Sequence, residues 1–373
     1  MRAYSYFRSL VSVLCLACNL EKARAVDCPG LAASLRIAGL NVSIITSQYV
    51  PAGTTIYINA TSPGQARNCQ NTTAPEVDIC RVVVNVTTSP RSASYVEVWL
   101  PSGSGTAWNG RFLSTGNGGL NGCVAYGDMA YTTSMGFAAT GDNGGHNGNS
   151  GDGSAFLNNN DVIVDFSYRS RHSAVVLGKQ VLQQYYGMAQ TKSYYFGCST
   201  GGRQGLKELQ MFPADFDGIL AGSPASDFNH LASWSAHFLT LTGTNASDPR
   251  FLTNAQWTAV HAEVFNQCDL LDGVADGILE DSSICNFNPE TLLCDRGTNT
   301  TGFANCLTTA QVHTVRSVFS PLYGLNGTFI YPRLSPSAEL AADAPAPFAY
   351  LNGNLNGPGT VSYCDFFGKI RVH

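Results

Sequence analysis

An α/β fold with a mostly parallel sheet is what this chain of 373 residues encodes, on three grounds. First, a short apolar run at residues 194–196 passes through a glycine-flanked turn into a segment whose apolar residues recur at helical spacing. Second, strand-like and helix-like stretches alternate from residue 135 to residue 221, the order produced by βαβ units with right-handed crossovers. Third, the alternation stops after Gly222-Ser223-Pro224, and helix-like segments carrying Trp234, His237, Phe238 and Trp257 lead to a cysteine-bounded loop, which marks an insertion.

At the N-terminus, residues 1–25 read as a targeting segment. Arg2 and Arg8 supply the positive end, Leu10 to Leu20 a short apolar stretch, and Ala23-Arg24-Ala25 a small-residue cleavage site. That stretch is too short to span a bilayer, so the mature protein is expected to be secreted, with no membrane partner. Export accounts for the cysteines. Of twelve, Cys15 and Cys18 leave with the targeting segment, and the remaining ten lack a C-x-x-C pair, so disulfides are favoured over a zinc site. Sequons at Asn41, Asn59, Asn71, Asn85, Asn245, Asn299 and Asn326 suit a secreted glycoprotein. Charged residues are only 13% and the net charge is −5, with no basic patch, which argues against a nucleic-acid partner.

From Cys28 to about Cys123 the chain is strand-rich. Val42 to Tyr49, Arg81 to Val86 and Tyr95 to Leu100 are dense in β-branched and aromatic residues, with Gly/Pro/Ser clusters between them. The four cysteines here admit three pairings. A strand after Trp108 ends in the glycine run of residues 116–122, where backbone amides can approach a ligand; a plain glycine turn is the alternative. Residues 135–146 repeat the strand-then-turn pattern. From His172 to Gly187, the residues Val176, Leu177, Val181, Leu182, Tyr185 and Tyr186 recur at three- and four-residue steps, which predicts a helix packed on a sheet.

Gly197-Cys198-Ser199-Thr200-Gly201 is a G-x-S-x-G between the strand of Tyr194, Tyr195 and Phe196 and a helix marked by Leu206, Leu209 and Met211. Strand, tight turn and helix are the context of a nucleophile elbow, which implies an α/β-hydrolase core. Ser199 is the candidate nucleophile, and the Thr200 amide at the helix start is the candidate oxyanion donor. In such folds the second donor comes from an early strand-to-helix loop, so Gly118, Gly119 and Leu120 are the further candidates. His146 precedes Ser199, against the chain order Ser, acid, His of these hydrolases, and reads as structural or substrate-side.

The cysteine directly before the serine is more specific. Gly-Cys-Ser-x-Gly-Gly-Arg-x-x-Leu at residues 197–206 resembles the fungal tannase and feruloyl esterase family of secreted serine esterases. Residues 108–123 and 135–146 are similar to that family too. The resemblance implies pairing of Cys28 with Cys80 and of Cys69 with Cys123, and a lid domain at the insertion. It also implies a structural Ca²⁺ in the lid, held by carboxylates of Asp269, Asp272 and Asp276 and backbone carbonyls of Val274 and Ile278. The residues themselves suit that ion, since hard oxygen donors lie between two Asp-Gly turns; composition alone leaves an ordinary turn open. Cys268–Cys285 would close this loop and Cys294–Cys306 the next.

The expected organisation is therefore a targeting segment (1–25), the first part of an α/β-hydrolase domain (26–222), a lid (223–347) and a tail (348–373) that matches nothing familiar. The family pattern places a catalytic Asp and a His-Cys pair after the lid, and no His in this chain is followed by Cys. His230, His237, His261 and His313 lie in the insertion and His373 is the last residue, so none is a good base; Cys198 and Cys364 are left over. A truncated or frame-shifted chain is expected on that ground. The resemblance implies hydrolysis of phenolic esters, feruloyl first and galloyl (tannase) second. A non-catalytic secreted glycoprotein lacking the base is the rival from another class.

Overall fold

The structure is a computed structural model and describes residues 27–58, 72–103, 108–148, 153–243, 246–294 and 305–339. Its centre is a seven-stranded sheet. After α1 (Cys28–Ser34) come β1 (Asn41–Val50), a two-stranded ribbon of β2 (Ile56–Tyr57) and β3 (Thr72–Thr73), then β4 (Ile79–Ser89) and β5 (Ser92–Pro101). The strand-rich segments expected in this region are thus present. The sheet continues through β6 (Arg111–Thr115), α2 (Tyr126–Ser134), β7 (Ala138–Asp142), α3 (Asn160–Val164), α4 (Ser170–Tyr186), β8 (Lys192–Cys198), α5 (Thr200–Met211) and β9 (Gly218–Gly222). It is mixed. The pairs β1/β4, β4/β5 and β5/β7 are antiparallel, whereas β7/β6, β6/β8 and β8/β9 are parallel. The parallel half carries the predicted elbow.

Each face of the sheet has its own helical cover. Ala174, Leu177, Val181 and Leu182 of α4 pack on Val82, Val98, Phe112 and Ala138, which confirms the amphipathic reading of this helix. Gly187, at φ 71°, ends it with a left-handed turn. On the other face Met129 and Tyr126 of α2 pack on Val83, Trp99 and Ala139. This second face buries a charge. Glu97 is fully enclosed, with Arg81 Nη2 at 2.6 Å and Nε at 2.8 Å, Tyr126 Oη at 2.7 Å, Trp99 Nε1 at 2.8 Å and Tyr95 Oη at 3.0 Å. Burial alone would raise its carboxyl. The Arg81 charge and the donated hydrogen bonds outweigh burial and hold it below the usual carboxylate range.

Beyond β9 the fold becomes helical, with α6 (Phe228–Thr242), α7 (Asn254–Cys268), α8 (Thr309–Val318) and the small ribbon of β10 (Leu322–Tyr323) and β11 (Phe329–Tyr331). Trp257, Val260, Val264, Leu307, Val312 and Val315 belong to a hydrophobic cluster made only of residues from this region. α7 and α8 each start with a capping box, Thr253 with Gln256 and Thr308 with Gln311. Cys28–Cys80, Cys268–Cys285 and Cys294–Cys306 are bonded as expected. Cys123 is also disulfide-bonded, and its expected partner Cys69 lies outside the described residues.

Candidate active site

Ser199 stands between β8 and α5 at φ 58° and ψ −119°, backbone angles that a residue with a Cβ rarely adopts. Three hydrogen bonds of 3.0 Å hold it there. Its N–H donates to the Gly222 carbonyl on β9, and its carbonyl accepts from the N–H groups of Arg203 and Ala225. The flanking glycines let the strands and helix close around it. A Cβ on Gly197 would come within 2.7 Å of the Gly201 carbonyl carbon, and one on Gly202 within 2.5 Å of the Gly222 oxygen. Backbone strain of this kind, held by neighbours and placed at an exposed serine, is the geometry of a nucleophile elbow.

The glycine run after β6 lies against the elbow. Thr200 Oγ donates to the Gly119 carbonyl at 2.8 Å, which ties residues 116–122 to the first turn of α5. Being first in α5, Thr200 has one of the N–H groups that a helix leaves without an intrahelical acceptor. Gly118 N–H lies 3.4 Å from Asn121 Oδ1, and Gly119 has φ 52°. Leu120 is buried with Phe156 and Phe166, and its carbonyl is 2.8 Å from His146 Nε2. The structure thus assembles Ser199, Thr200 and the 118–120 loop, and sets His146 beneath the loop as a brace.

A buried polar network supports both loops, and the sequence reading missed it. Asn117 N–H donates to Gln204 Oε1 at 3.0 Å, and Gln204 Nε2 donates back to Asn117 Oδ1 at 2.8 Å. Arg171 reaches Asp142 at 2.8 Å, Ser114 at 3.0 Å and Asn117 at 3.2 Å. Asp142 also accepts from Ser170 at 2.8 Å. These residues come from β6 and the loop after it, β7, α4 and α5, so no local motif could have revealed them.

Among the described residues no hydrogen bond joins Ser199 to a histidine. His230 pairs with Asp227 at 2.9 Å and His261 with Glu339 at 2.7 Å, while His237 lies 3.3 Å from Thr240 Oγ. His313 is on α8. Cys198 is exposed and unbridged, and Cys364 and His373 lie outside the described residues.

In the acidic loop, Asp272 Oδ1 accepts from Val274 N–H at 2.9 Å, Asp269 Oδ1 from Gly277 N–H at 3.0 Å and Asp276 Oδ1 from Ile278 N–H at 3.1 Å. Gly273 and Gly277 take φ 96° and 76°, so two left-handed turns fold the loop back on itself. The donor set fits a hard cation, since each carboxylate keeps Oδ2 clear of the turn bonds.

The helix expected after the elbow is present, but the residues that marked it do not form its buried face. Leu206, Leu209 and Met211, which marked α5 by their spacing, are 39%, 55% and 40% exposed. The face of α5 that packs on the sheet is Thr200, Gly201, Gly202, Gln204, Gly205 and Glu208. Close approach to the sheet selects small residues there, and a Cβ on Gly205 would meet the Tyr195 ring at 2.7 Å.

Comparison with known proteins agrees with this geometry. The family model described as "Tannase and feruloyl esterase" matches residues 80–356. "Probable feruloyl esterase B-1" of Aspergillus oryzae is 48% identical over 328 residues, which cover 87% of this chain and 59% of that protein. "Probable feruloyl esterase B-2" of Neosartorya fischeri is 44% identical over 350 residues, covering 92% and 64%. The crystal structure of feruloyl esterase B from Aspergillus oryzae superposes with a TM-score of 0.77 at 47% identity, over 88% of this chain and 62% of that one. Tannin acyl hydrolase from Aspergillus niger shares the fold, with a TM-score of 0.62 at 18% identity over 90% and 67%. The chain therefore spans about 59% to 64% of the length of these curated relatives. With a family match over most of its length and the serine elbow in place, this chain belongs to the tannase and feruloyl esterase family.

Proposed function

We propose that this protein is a secreted carboxylic ester hydrolase acting on phenolic esters, with feruloyl esters of plant cell-wall polysaccharide as the preferred class and galloyl esters second. The observation that carries the reading is the exposed Ser199 at φ 58° between parallel β8 and α5. Its Oγ attacks the ester carbonyl, the tetrahedral oxyanion lies against the amides of Thr200 and of the Gly118, Gly119 and Leu120 loop, and the alcohol leaves. Water then releases the acid from the acyl-enzyme. The attack needs a base to take the serine proton, and the His-Cys pair by which the family would supply it does not occur in this sequence. Residues 26–222 are read as the hydrolase portion and 223–347 as the lid, with Ca²⁺ held structurally by Asp269, Asp272, Asp276 and the Val274 and Ile278 carbonyls. The relatives' names support the ester class, and the acidic loop's turns support the ion.

The absence of a Ser199–His hydrogen bond among the described residues favours one second reading, a phenolic-binding glycoprotein without turnover. An active-site phosphonate separates the two. Stoichiometric labelling of the chain, lost in Ser199→Ala, together with release of ferulate from methyl ferulate, supports the hydrolase. Ferulate binding with no covalent label supports the binding protein. Comparing methyl ferulate with methyl gallate ranks the substrate classes.

A further inference from the structure

We propose that His172, Glu208 and Asp215 form a second cation site, separate from the acidic lid loop, that takes a divalent first-row metal such as Zn²⁺. One ligand atom from each residue lies within 4.8 Å of the other two. An imidazole nitrogen with two carboxylates is a donor set for such ions. His172 comes from the start of α4, Glu208 from the last turns of α5, and Asp215 from the loop leading to β9, so the site would clasp three elements of one sheet face.

Glu208 is the reason to expect a ligand. It is 1% exposed, and neither carboxylate oxygen has a hydrogen-bond partner of good geometry, the Asp215 carboxylate being a close polar neighbour. A buried carboxylate left so is costly unless a charge meets it. Neither nearby cation is hydrogen-bonded to Glu208. Arg171 is bonded to Asp142, Ser114 and Asn117. Lys179 lies 3.8 Å from Asp215 Oδ1 and donates to the Asp215 main-chain carbonyl.

The other two ligands are prepared. The His172 ring stacks on Phe212 at 3.6 Å, and its Nδ1 is 2.8 Å from Asp215 Oδ2. His172 is 32% and Asp215 16% exposed at the side chain, which leaves a way in from solvent toward the enclosed Glu208. Glu208 lies eight residues beyond Thr200 along α5, ~12 Å at the helical rise, so a metal here would brace the helix without touching an ester at Ser199. The inference stands whether or not the ester-hydrolase reading does.

The test uses the full chain, stripped with chelator and held in saturating Ca²⁺ to occupy the lid loop. It is titrated calorimetrically with Zn²⁺ and followed by visible absorption with Co²⁺, alongside Glu208→Gln and His172→Ala. His172→Ala removes a partly exposed ring, so it keeps the test open if the buried variant misfolds. The expected result is one Zn²⁺ per chain, weakened in each folded variant by more than the ~10-fold that loss of an outer partner costs, with the Co²⁺ spectrum lost in parallel. Equal binding by folded variants overturns the proposal. So does no binding to the parent chain at millimolar metal, which would leave the cluster as hydrogen-bonded acids and imidazole.

Discussion

Ser199 owes its position to atoms a few residues away and to one strand beside it. The elbow was legible in the sequence because a strand, two flanking glycines and a helix are all local. Part of what holds the serine is not local. Gly116, from the end of β6, faces the elbow so closely that a Cβ would stand 2.4 Å from Tyr195 Oη and 2.6 Å from the Gly201 Cα. Gly116→Ala is expected to destabilise the fold by about 1–3 kcal/mol through overpacking. Urea denaturation measures it, and an unchanged midpoint would contradict the packing described. Thr200→Val removes the hydroxyl that donates to the Gly119 carbonyl. The expected loss is about 1 kcal/mol of stability. It should be accompanied by slower phosphonate labelling of Ser199 as the glycine loop loosens; labelling at the parent rate would show that this bond does not position the loop.

At the scale of elements, alternation and periodicity reported strands and helices well but did not say which face of α5 is inside. α5 was recognised by Leu206, Leu209 and Met211, yet it buries its glycines and its polar Gln204 and Glu208. β5 carries the opposite surprise, a glutamate at a position of full burial. Glu97 shares one sheet face with Tyr95 and Trp99 and finds Arg81 across the β4/β5 pair. Replacing it with Gln leaves the Arg81 charge unmatched, and such breaks cost about 3–5 kcal/mol. The pH dependence follows from the direction of its shift. The folded carboxyl is held below its unfolded value, so its contribution is complete above the ordinary 4.5 and is lost as pH falls through the folded value. Acid unfolding should therefore be less steep in Glu97→Gln than in the parent. An identical acid limb in circular dichroism would assign the acid sensitivity to other groups.

Taken as a whole, the molecule has separate hydrophobic clusters on the two sheet faces and a further one among the helices after β9. Phe228, at the start of α6, joins the helical part to the sheet by packing near Phe166 and beneath the Arg203 guanidinium, 4.9 Å from its ring. The helical part is pinned by two disulfides. Replacing Cys268 and Cys285 by Ser opens a loop of 17 residues, for which chain entropy gives about 3 kcal/mol. If the acidic loop holds Ca²⁺ as proposed, the ion adds to this. EGTA is expected to lower the thermal midpoint of the parent and to have a much smaller effect on Asp272→Asn. Equal shifts in both would remove Asp272 from the ligand set.

By itself the sequence determined the serine elbow, the glycine run, the acidic loop and the family, because each is a short pattern whose chemistry depends on neighbours along the chain. Only the tertiary structure decided how the sheet is ordered, with β7 inserted between β5 and β6 and the pairing changing from antiparallel to parallel there. It alone joined Arg171, Asp142, Asn117 and Gln204 into one network, and brought His172 to Glu208 and Asp215. Those groupings come from residues up to 87 positions apart, and the reason they meet is the burial of charge and amide groups that only a packed sheet and its helices can satisfy.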